Sequence, residues 1–211
     1  MTPHDFIAFL QERLEENLPG KTSQVRMAPE PVGEAPGRNM EPPDHAGRSA
    51  VLVLLFPNPE RELELLLTLR SRDIDHGGQI SFPGGRAEEG ESARQTALRE
   101  AREEVGLSGE GIQMLGTLSQ LYMSPSNSLI TPVVAYLPER PAMRLNPAEV
   151  EEIFAVELGS LATKKNLEVE QWNLSEYTYR VPFWNVHRVP LWGATAMMIS
   201  ELMDLFREWR S

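Results

Sequence analysis

Three glutamates in one short stretch, Glu100, Glu103 and Glu104, have the spacing of a metal-binding helix face. At about 100° of rotation per helical residue, Glu104 lies roughly 40° from Glu100, and Glu103 lies roughly 60° to its other side. Ala97 and Ala101 occupy the neighbouring arc, so the acidic row is expected at the edge of a buried face. Such a row suits a hard divalent cation, which prefers oxygen ligands.

An acidic helix is more often a solvated surface with glutamate–arginine pairs, and Arg99 and Arg102 could form such pairs here. Like charges about 5 Å apart, however, repel by about 3 kcal/mol per pair at an effective dielectric constant of about 20. Three carboxylates at the edge of a core therefore favour a compensating cation. Gly84 and Gly85, in the loop before the helix, permit a tight turn in which backbone carbonyls approach an ion.

The complete spacing resembles the signature of the Nudix hydrolases. Gly85 is followed after five residues by Glu91, and after seven more by residues 99–107, which read Arg-Glu-Ala-Arg-Glu-Glu-Val-Gly-Leu. Every fixed position of the signature is filled over these 23 residues. The resemblance implies a protein of the α/β class with the Nudix fold, an α/β/α sandwich with a mixed sheet, in which the signature forms a loop, a helix and a loop.

The same resemblance implies a metal site. By position in the signature, the ligands are Glu100 and Glu104, joined by Glu103 and by the backbone carbonyl of Gly85. The expected cofactor is Mg²⁺ or Mn²⁺, which neutralises the charge of a diphosphate and helps to deprotonate the attacking water.

The catalytic residues implied by the signature are Glu100, Glu103, Glu104 and Arg99, with Arg99 orienting the glutamates and Glu91 supporting them from behind. Glu100 and Glu103 are both candidates for the general base. A base outside the signature is a further alternative.

Residues outside the signature resemble the coenzyme A diphosphatases. Their additional motif reads Leu-Leu-Thr-any-Arg-Ser and continues, through a spacer that contains an arginine, to a glycine before Phe-Pro-Gly-Gly; residues 66–71 and 76–85 match it here. Further similarity lies at residues 131–134, 146–150 and 191–196. The resemblance implies cleavage of the diphosphate of coenzyme A into adenosine 3′,5′-bisphosphate and 4′-phosphopantetheine.

The spacer of this motif departs from the family pattern. It is one residue shorter, and the expected arginine falls near Ile74 or Asp75. If that arginine binds a phosphate of coenzyme A, this chain either lacks the contact or makes it with Arg72.

Four residues near the motif are candidate substrate contacts: Arg70, Arg72, His76 and Gln79. Arginine favours bidentate contacts with phosphate, although salt bridges to nearby acids would also explain Arg70 and Arg72. Glu149, distant in sequence from the helix, is a candidate additional metal ligand or base. The alternative for Glu149 is an acid at a helix N-terminus, where the helix dipole favours it.

Three aromatic residues, Trp172, Tyr177 and Tyr179, could line a pocket for adenine or pantetheine, but apolar packing is the interpretation we favour. Trp192 is expected to pack the last helix against the sheet.

Hydrophobic patterns predict the elements that position these residues. Helices are expected at residues 4–18, 92–105 and 195–209, and strands at residues 50–56, 63–69, 79–82, 112–121, 129–137, 150–156 and 177–183. The first two strands are expected to form a hairpin, and Gly106 is expected to end the acidic helix. We therefore expect residues 1–48 to form an N-terminal helix followed by an extended segment from about residue 20 to residue 47, which we call the lead-in. The Nudix domain is expected at residues 49–211.

Composition narrows the class of protein further. The net charge of −11 argues against a broad nucleic-acid-binding face, and the absence of cysteine excludes disulfides and thiolate chemistry. No apolar run approaches the ~18 residues that cross a membrane, and residues 1–5 lack the positive start of a signal peptide. We expect a cytoplasmic protein whose partner is a small-molecule diphosphate, without nucleic acid or membrane; a homodimer is compatible with the sequence.

Two alternatives to a coenzyme A diphosphatase stay open. The substrate could be another nucleoside diphosphate derivative, such as ADP-ribose, NADH or an oxidised nucleotide. The chain could also be a catalytically silent module that binds a nucleotide or a partner. A silent module is expected to lose a glutamate of the signature, and since Glu100, Glu103 and Glu104 are all present, the sequence favours an enzyme.

Overall fold

The computed structural model describes residues 2–73 and 77–211. The helices are α1 (Pro3–Arg13), α2 (Lys21–Gln24), α3 (Ala93–Val105), α4 (Leu158–Ala162) and α5 (Gly193–Arg210). The strands are β1 (Glu30–Pro31), β2 (Gly47–Pro57), β3 (Leu63–Arg70), β4 (Ile80–Ser81), β5 (Gly84–Arg86), β6 (Gln113–Thr117), β7 (Leu121–Met123), β8 (Ser128–Tyr136), β9 (Val150–Glu157), β10 (Leu167–Leu174) and β11 (Tyr177–Trp184). Within the described ranges, no helix has the length and apolar character needed to cross a membrane.

The central sheet is built around β2. On one side β2 pairs antiparallel with β3 and β5, which confirms the predicted hairpin, and on the other it pairs in parallel with β8. The sheet continues from β3 to β4 and β9, and from β8 to β6 and β7. Parallel neighbours need a long crossover connection, and here that connection contains α3. The predicted mixed sheet is thereby confirmed.

Helices cover both faces of this sheet because successive side chains of a strand point to opposite sides. Ala50, Leu52 and Leu54 of β2 pack in the same cluster as the apolar residues of α3. Val53 and Leu55 of the same strand belong to the other cluster, which contains residues of α1 and α5. This arrangement is the α/β/α sandwich expected from the sequence.

A second, antiparallel sheet has the order β1–β11–β10. Its first strand belongs to the lead-in, so the segment before β2 is partly ordered by pairing with β11. The helix α1 packs against α5, with the ring centroid of Phe6 5.1 Å from those of Phe206 and Trp209. The segment before β2 and the sandwich therefore share packing contacts.

Several predicted boundaries were wrong. The first helix ends at Arg13 rather than at residue 18. The strand predicted at residues 112–121 is two strands, β6 and β7, because the regular pairing with β8 is interrupted between Thr117 and Leu121. The strand β10 escaped prediction because its apolar residues change face between Val169 and Trp172, so that no single alternation runs through it.

The acidic helix α3 begins where the sequence predicts. Ser92 is its N-cap, and the Oγ atom of Ser92 accepts a hydrogen bond from the backbone N–H of Gln95. The Gln95 side chain accepts in return from the backbone N–H of Ser92, at 2.9 Å. This capping box satisfies two backbone donors that a helix start leaves without partners.

The end of α3 supports a neighbouring loop. Gly106 has a φ of 67°, the left-handed conformation that ends many helices. The loop at residues 144–149 packs across this end: the N–H of Arg144 donates to the carbonyl of Val105, and the N–H of Asn146 donates to the carbonyl of Glu104, both at 2.9 Å. A glycine at the end of the helix thus permits the close approach of a second acidic segment.

We predict that Gly106→Ala lowers the free energy of unfolding by about 2 kcal/mol or more, because the left-handed conformation alone costs about 1–2 kcal/mol for a residue with a Cβ. A Cβ at this position would also lie 3.0 Å from the carbonyl oxygen of Arg144. Gly109→Ala is the matched control, since Gly109 has a φ of 82° with nothing within 4 Å of its Cβ position. Equal losses in urea denaturation would show that the loop is not in tight contact.

Candidate active site

The acidic residues of α3 lie at the seam between this helix and the sheet. Ala97, Ala101 and Val105 are fully buried on the sheet side. Glu104 is only 2% exposed although it is ionisable, and the side chain of Glu100 is 13% exposed. The helix face read from the sequence therefore brings two carboxylates to the border of the core.

A third carboxylate joins these two. Glu100, Glu104 and Glu149 each have a carboxylate oxygen within 4.8 Å of the others, and we call these residues the carboxylate cluster. The side chain of Glu149 accepts a hydrogen bond from Nδ2 of Asn146 at 3.1 Å, and its carbonyl accepts from the N–H of Ser71 at 2.9 Å. Since Glu149 directly precedes β9, the helix-terminus explanation considered from the sequence does not apply.

The two glycines of β5 close the cluster from the side of the sheet. The N–H of Gly84 donates to Oε2 of Glu104 at 3.1 Å. A Cβ on Gly85 would lie 2.5 Å from Oε1 of Glu100, far inside van der Waals contact. Any larger residue at position 85 would displace that carboxylate, so the glycine is required by the close approach of the helix.

Burial raises the pKa values of two carboxyl groups in the cluster. Loss of hydration raises the pKa of Glu104 to about 7, although the Gly84 N–H and the guanidinium of Arg70 act in the opposite direction. The Arg70 Nη1 atom lies 3.6 Å from Oε1 of Glu104. Loss of hydration also raises the pKa of Glu100, against the hydrogen bond from Arg99. From the sequence we expected mutual repulsion to be the main factor that disfavours ionisation of these carboxylates. Burial, however, raises the pKa values of Glu100 and Glu104 more than repulsion does.

Glu103 lies outside the carboxylate cluster. Its side chain is 49% exposed, and one carboxylate oxygen accepts from Nη1 of Arg99 at 3.1 Å. The same Nη1 donates to Glu100 at 2.9 Å. The structure therefore brings Glu149, and not Glu103, together with Glu100 and Glu104.

Arg99 connects the helix to the loop before it. Its Nε and Nη2 atoms donate to the two carboxylate oxygens of Glu91 at 2.8 and 3.0 Å, and Nη2 also donates to the carbonyl of Arg86 at 2.9 Å. These bonds, with those from the Glu88 N–H and the Thr96 hydroxyl, hold the pKa of Glu91 at about 2. A bidentate pair of this kind fixes the plane of the guanidinium and, through it, the orientation of Glu100.

The donor set of the cluster fits a hard divalent cation. Three carboxylates converge within 4.8 Å, and Glu104 is buried with an ionisation that its surroundings disfavour. A bound cation would offset that cost, and oxygen ligands are those which Mg²⁺ and Mn²⁺ prefer.

A cavity of about 930 Å³ opens beside Gly84 and Gly85. Its walls come from β2, the segment from Gln79 to β5, the hairpin of β7 and β8, the start of α5 and the lead-in. Arg70 and Gln79, two of the predicted substrate contacts, line this cavity. The size is within the range of cavities that bind small molecules.

The other two predicted substrate contacts are placed differently. The side chain of Arg72 is 84% exposed, lies 3.9 Å from a carboxylate oxygen of Glu151, and does not line the cavity. His76 lies outside the described residues.

Aromatic residues form the wall of the cavity on the side of the sheet made by β1, β11 and β10. Tyr177, Tyr179 and Trp192 line it, whereas the ring of Trp172 packs edge-on against that of Trp192, with centroids 5.3 Å apart. The hydroxyl of Tyr179 donates to the carbonyl of Pro36 in the lead-in at 3.3 Å.

Two arginines that line the cavity, Arg38 and Arg86, were not identified from the sequence. Arg38 belongs to the Pro- and Gly-rich lead-in, whose composition indicates an irregular segment but not where that segment packs. Arg86 directly follows Gly85, at a position where the signature requires no particular residue.

We predict that the Glu91–Arg99 pair stabilises the fold in a pH-dependent way. Because the pKa of Glu91 is lowered from 4.5 to about 2 on folding, its contribution is present above pH 4.5 and is lost as the pH falls towards 2. The difference in melting temperature between the wild type and Glu91→Gln should therefore shrink over this range. Glu89→Gln, at an exposed neighbouring position, is the control. A difference that stays constant would contradict the pairing.

Comparison with known proteins agrees with this geometry. The family model of the NUDIX domain matches residues 46–178. The chain is 38% identical over 164 residues to the uncharacterised Nudix hydrolase NudL of Photorhabdus laumondii, covering 75% of this chain and 84% of that protein. It is 36% identical over 169 residues to NudL of Pectobacterium atrosepticum, covering 78% and 85%.

Solved structures show the same fold. The Nudix hydrolase RenU of M. smegmatis superposes with a TM-score of 0.57 at 21% identity, covering 77% of this chain and 87% of RenU. The NUDIX domain of Shewanella oneidensis NrtR, in complex with ADP-ribose, gives 0.50 at 19% identity, covering 80% and 90%. With the signature, the sandwich fold and the NudL relatives in agreement, this chain belongs to the Nudix hydrolases.

Proposed function

We propose that this Nudix hydrolase cleaves the diphosphate bond of coenzyme A or one of its derivatives, giving adenosine 3′,5′-bisphosphate and 4′-phosphopantetheine. The observation that carries the proposal is the position of the cavity. It adjoins the carboxylate cluster, and Arg70, Gln79 and Ser81, from the stretch that resembles the coenzyme A diphosphatase motif, line it. A substrate in this cavity would present its diphosphate to the cluster.

We propose that the metal is Mg²⁺ or Mn²⁺ and that Glu100, Glu104 and Glu149 hold it, with the backbone carbonyl of Gly85 as a further ligand. Their convergence and the burial of Glu104 support this assignment. Such a cation, when bound, neutralises charge on the diphosphate and lowers the pKa of a coordinated water. Arg99, paired with Glu91, keeps the carboxylate of Glu100 in a fixed orientation.

The general base in this proposal is Glu103. The three clustered carboxylates are committed to the cation, whereas Glu103 is half-exposed and is held beside Glu100 by a shared hydrogen-bond donor of Arg99. A carboxylate at this position can accept a proton from a water that attacks the diphosphate.

The rest of the cavity is suited to the two ends of the substrate. Tyr177, Tyr179 and Trp192 offer aromatic surface on which a base can stack, and Arg70 lies between the cluster and the cavity. We also propose that residues 49–211 form the catalytic domain, while residues 1–48 complete the cavity through the lead-in.

We predict that glutamine substitutions separate metal binding from proton transfer. Glu100→Gln and Glu104→Gln should lower kcat more than about a hundredfold, since even residues behind metal ligands cost about 10–100-fold. Both should also abolish the rise in melting temperature on adding Mg²⁺, because binding to the folded state stabilises it by mass action. Glu103→Gln should lower kcat by about 10²–10⁴ yet keep that rise.

Glu110→Gln, at an exposed position beyond the helix, is the control and should leave both measurements unchanged. Retention of more than about a tenth of the wild-type rate in Glu100→Gln or Glu104→Gln would remove that residue from the ligand set. Loss of the Mg²⁺-dependent rise in Glu103→Gln would instead make Glu103 a ligand.

We predict that a substrate panel assayed with Mg²⁺ ranks coenzyme A and its acyl derivatives above ADP-ribose and NADH in kcat/KM. Product analysis should show adenosine 3′,5′-bisphosphate and 4′-phosphopantetheine, which identifies the diphosphate as the cleaved bond. If ADP-ribose or NADH is hydrolysed about a hundredfold faster than coenzyme A, a difference of about 2.7 kcal/mol, the coenzyme A assignment fails and only the Nudix chemistry stands.

A further inference from the structure

Arg38 is a half-buried arginine at the wall of the cavity, contributed by the lead-in. Its Nη2 atom donates to the carbonyl of Tyr122 at 3.3 Å and contacts the sulfur of Met123, both in β7. Its Nε atom is buried and has no hydrogen-bond partner. In residues 2–73 and 77–211, every other buried side-chain N or O atom has such a partner.

No carboxylate in the described parts of the chain forms a salt bridge with Arg38. Burial lowers the pKa of its guanidinium. A partly desolvated charge with an unused donor is costly unless an anion completes it. The guanidinium thus has no negative partner within the described chain, and an anion bound in the cavity would supply one.

The charged side chains that line the described part of the cavity are all positive. Arg38, Arg70 and Arg86 line it, and no aspartate or glutamate does so among the described residues, although the chain carries a net charge of −11. Arg70 faces Glu104, whereas Arg38 lies at the other end of the cavity beside β7. Ser124, Ser126 and Ser128 line the same end. The hydroxyl of Ser126 bonds to the carbonyl of Met123 and that of Ser128 to the hydroxyl of Ser49, so among these three described residues it is Ser124 that offers a hydroxyl to a ligand.

Arg38 is too far from the carboxylate cluster to bind the diphosphate that the cluster is placed to hydrolyse. Gly85 is in β5, which pairs with β2; β2 pairs with β8, and β8 pairs with β7, which Arg38 contacts. Neighbouring strands are about 4.8 Å apart, so these three steps amount to about 14 Å along the sheet. In a nucleotide with a second phosphate on its ribose, the ribose separates that phosphate from the diphosphate.

We propose that Arg38, with the hydroxyl of Ser124 next to β7, forms a subsite for a phosphomonoester that the substrate carries in addition to its diphosphate. The subsite rests on the proposed function, because it orients that substrate in the cavity. It would supply the phosphate contact that was considered from the sequence for Arg72. Arg72 is exposed beside Glu151, whereas Arg38 reaches the cavity from a different part of the chain.

The test compares two nucleotides that contain no diphosphate and are not consumed: adenosine 3′,5′-bisphosphate and 5′-AMP. Their affinities for the full chain are measured by calorimetry, with Mg²⁺ and again with chelator. The variant is Arg38→Met, which keeps the packing volume and removes the charge. The control is Arg180→Met, at an exposed arginine beside the lead-in that pairs with Glu30.

The wild type and Arg180→Met should bind the bisphosphate about tenfold or more tightly than 5′-AMP, as expected for a charge-assisted hydrogen bond to phosphate. Arg38→Met should lose this preference while its affinity for 5′-AMP changes less than about twofold. Equal weakening for both nucleotides, or an unchanged preference, would overturn the subsite. An unchanged melting temperature in Arg38→Met verifies that the fold is kept, and Arg38→Gln, which also removes the charge, replaces it if the melting temperature falls.

This outcome is independent of the substrate assignment. If coenzyme A is hydrolysed but Arg38→Met discriminates the two nucleotides as the wild type does, the subsite fails and the proposed function stands. If coenzyme A is not hydrolysed but the preference for the bisphosphate depends on Arg38, the proposed function fails and the subsite stands.

Discussion

Glu104 is an ionisable carboxylate buried at the seam of a helix and a sheet, and the surrounding structure is arranged around the cost of that burial. Its carboxylate accepts a hydrogen bond from the Gly84 N–H and lies near the guanidinium of Arg70. The carboxylate of Glu149, from a neighbouring loop, also lies close to it. Loss of hydration still raises its pKa to about 7, so a bound cation would stabilise its ionised form. The proposed metal binding and the packing of α3 on the sheet therefore both depend on the buried carboxylate of Glu104.

The close packing that creates this demand depends on glycine at two places. At Gly85 a side chain would displace Glu100, and at Gly106 a side chain would press on the loop that brings Glu149 to the cluster. The cluster is assembled from a strand, a helix and a loop, and these are held together by backbone contacts. Substitutions at these contacts are expected to alter the proposed metal site without changing a carboxylate.

The molecule separates its charges along the central sheet. Acidic groups gather where α3 meets β5, while the cavity beside them is lined with arginine, hydroxyl and aromatic groups. A cation at the first place and the anionic parts of a substrate at the second would balance both. The lead-in takes part in this division because it carries Arg38 to β7, about three strands from the cluster.

The sequence by itself determined the signature helix, its beginning near Ser92 and its end at Gly106, because these depend on local spacing and periodicity. The family and its sandwich fold followed from the resemblance of the signature. It also identified Glu149 as a candidate metal ligand or base, but it did not predict that Glu149 lies beside Glu100 and Glu104. Only the tertiary structure decided that Glu103 stays outside the cluster, that Arg72 lies away from the cavity and that Arg38 lines it. Those placements depend on how segments distant in sequence pack together, and an irregular segment carries no periodic pattern from which its packing could be predicted.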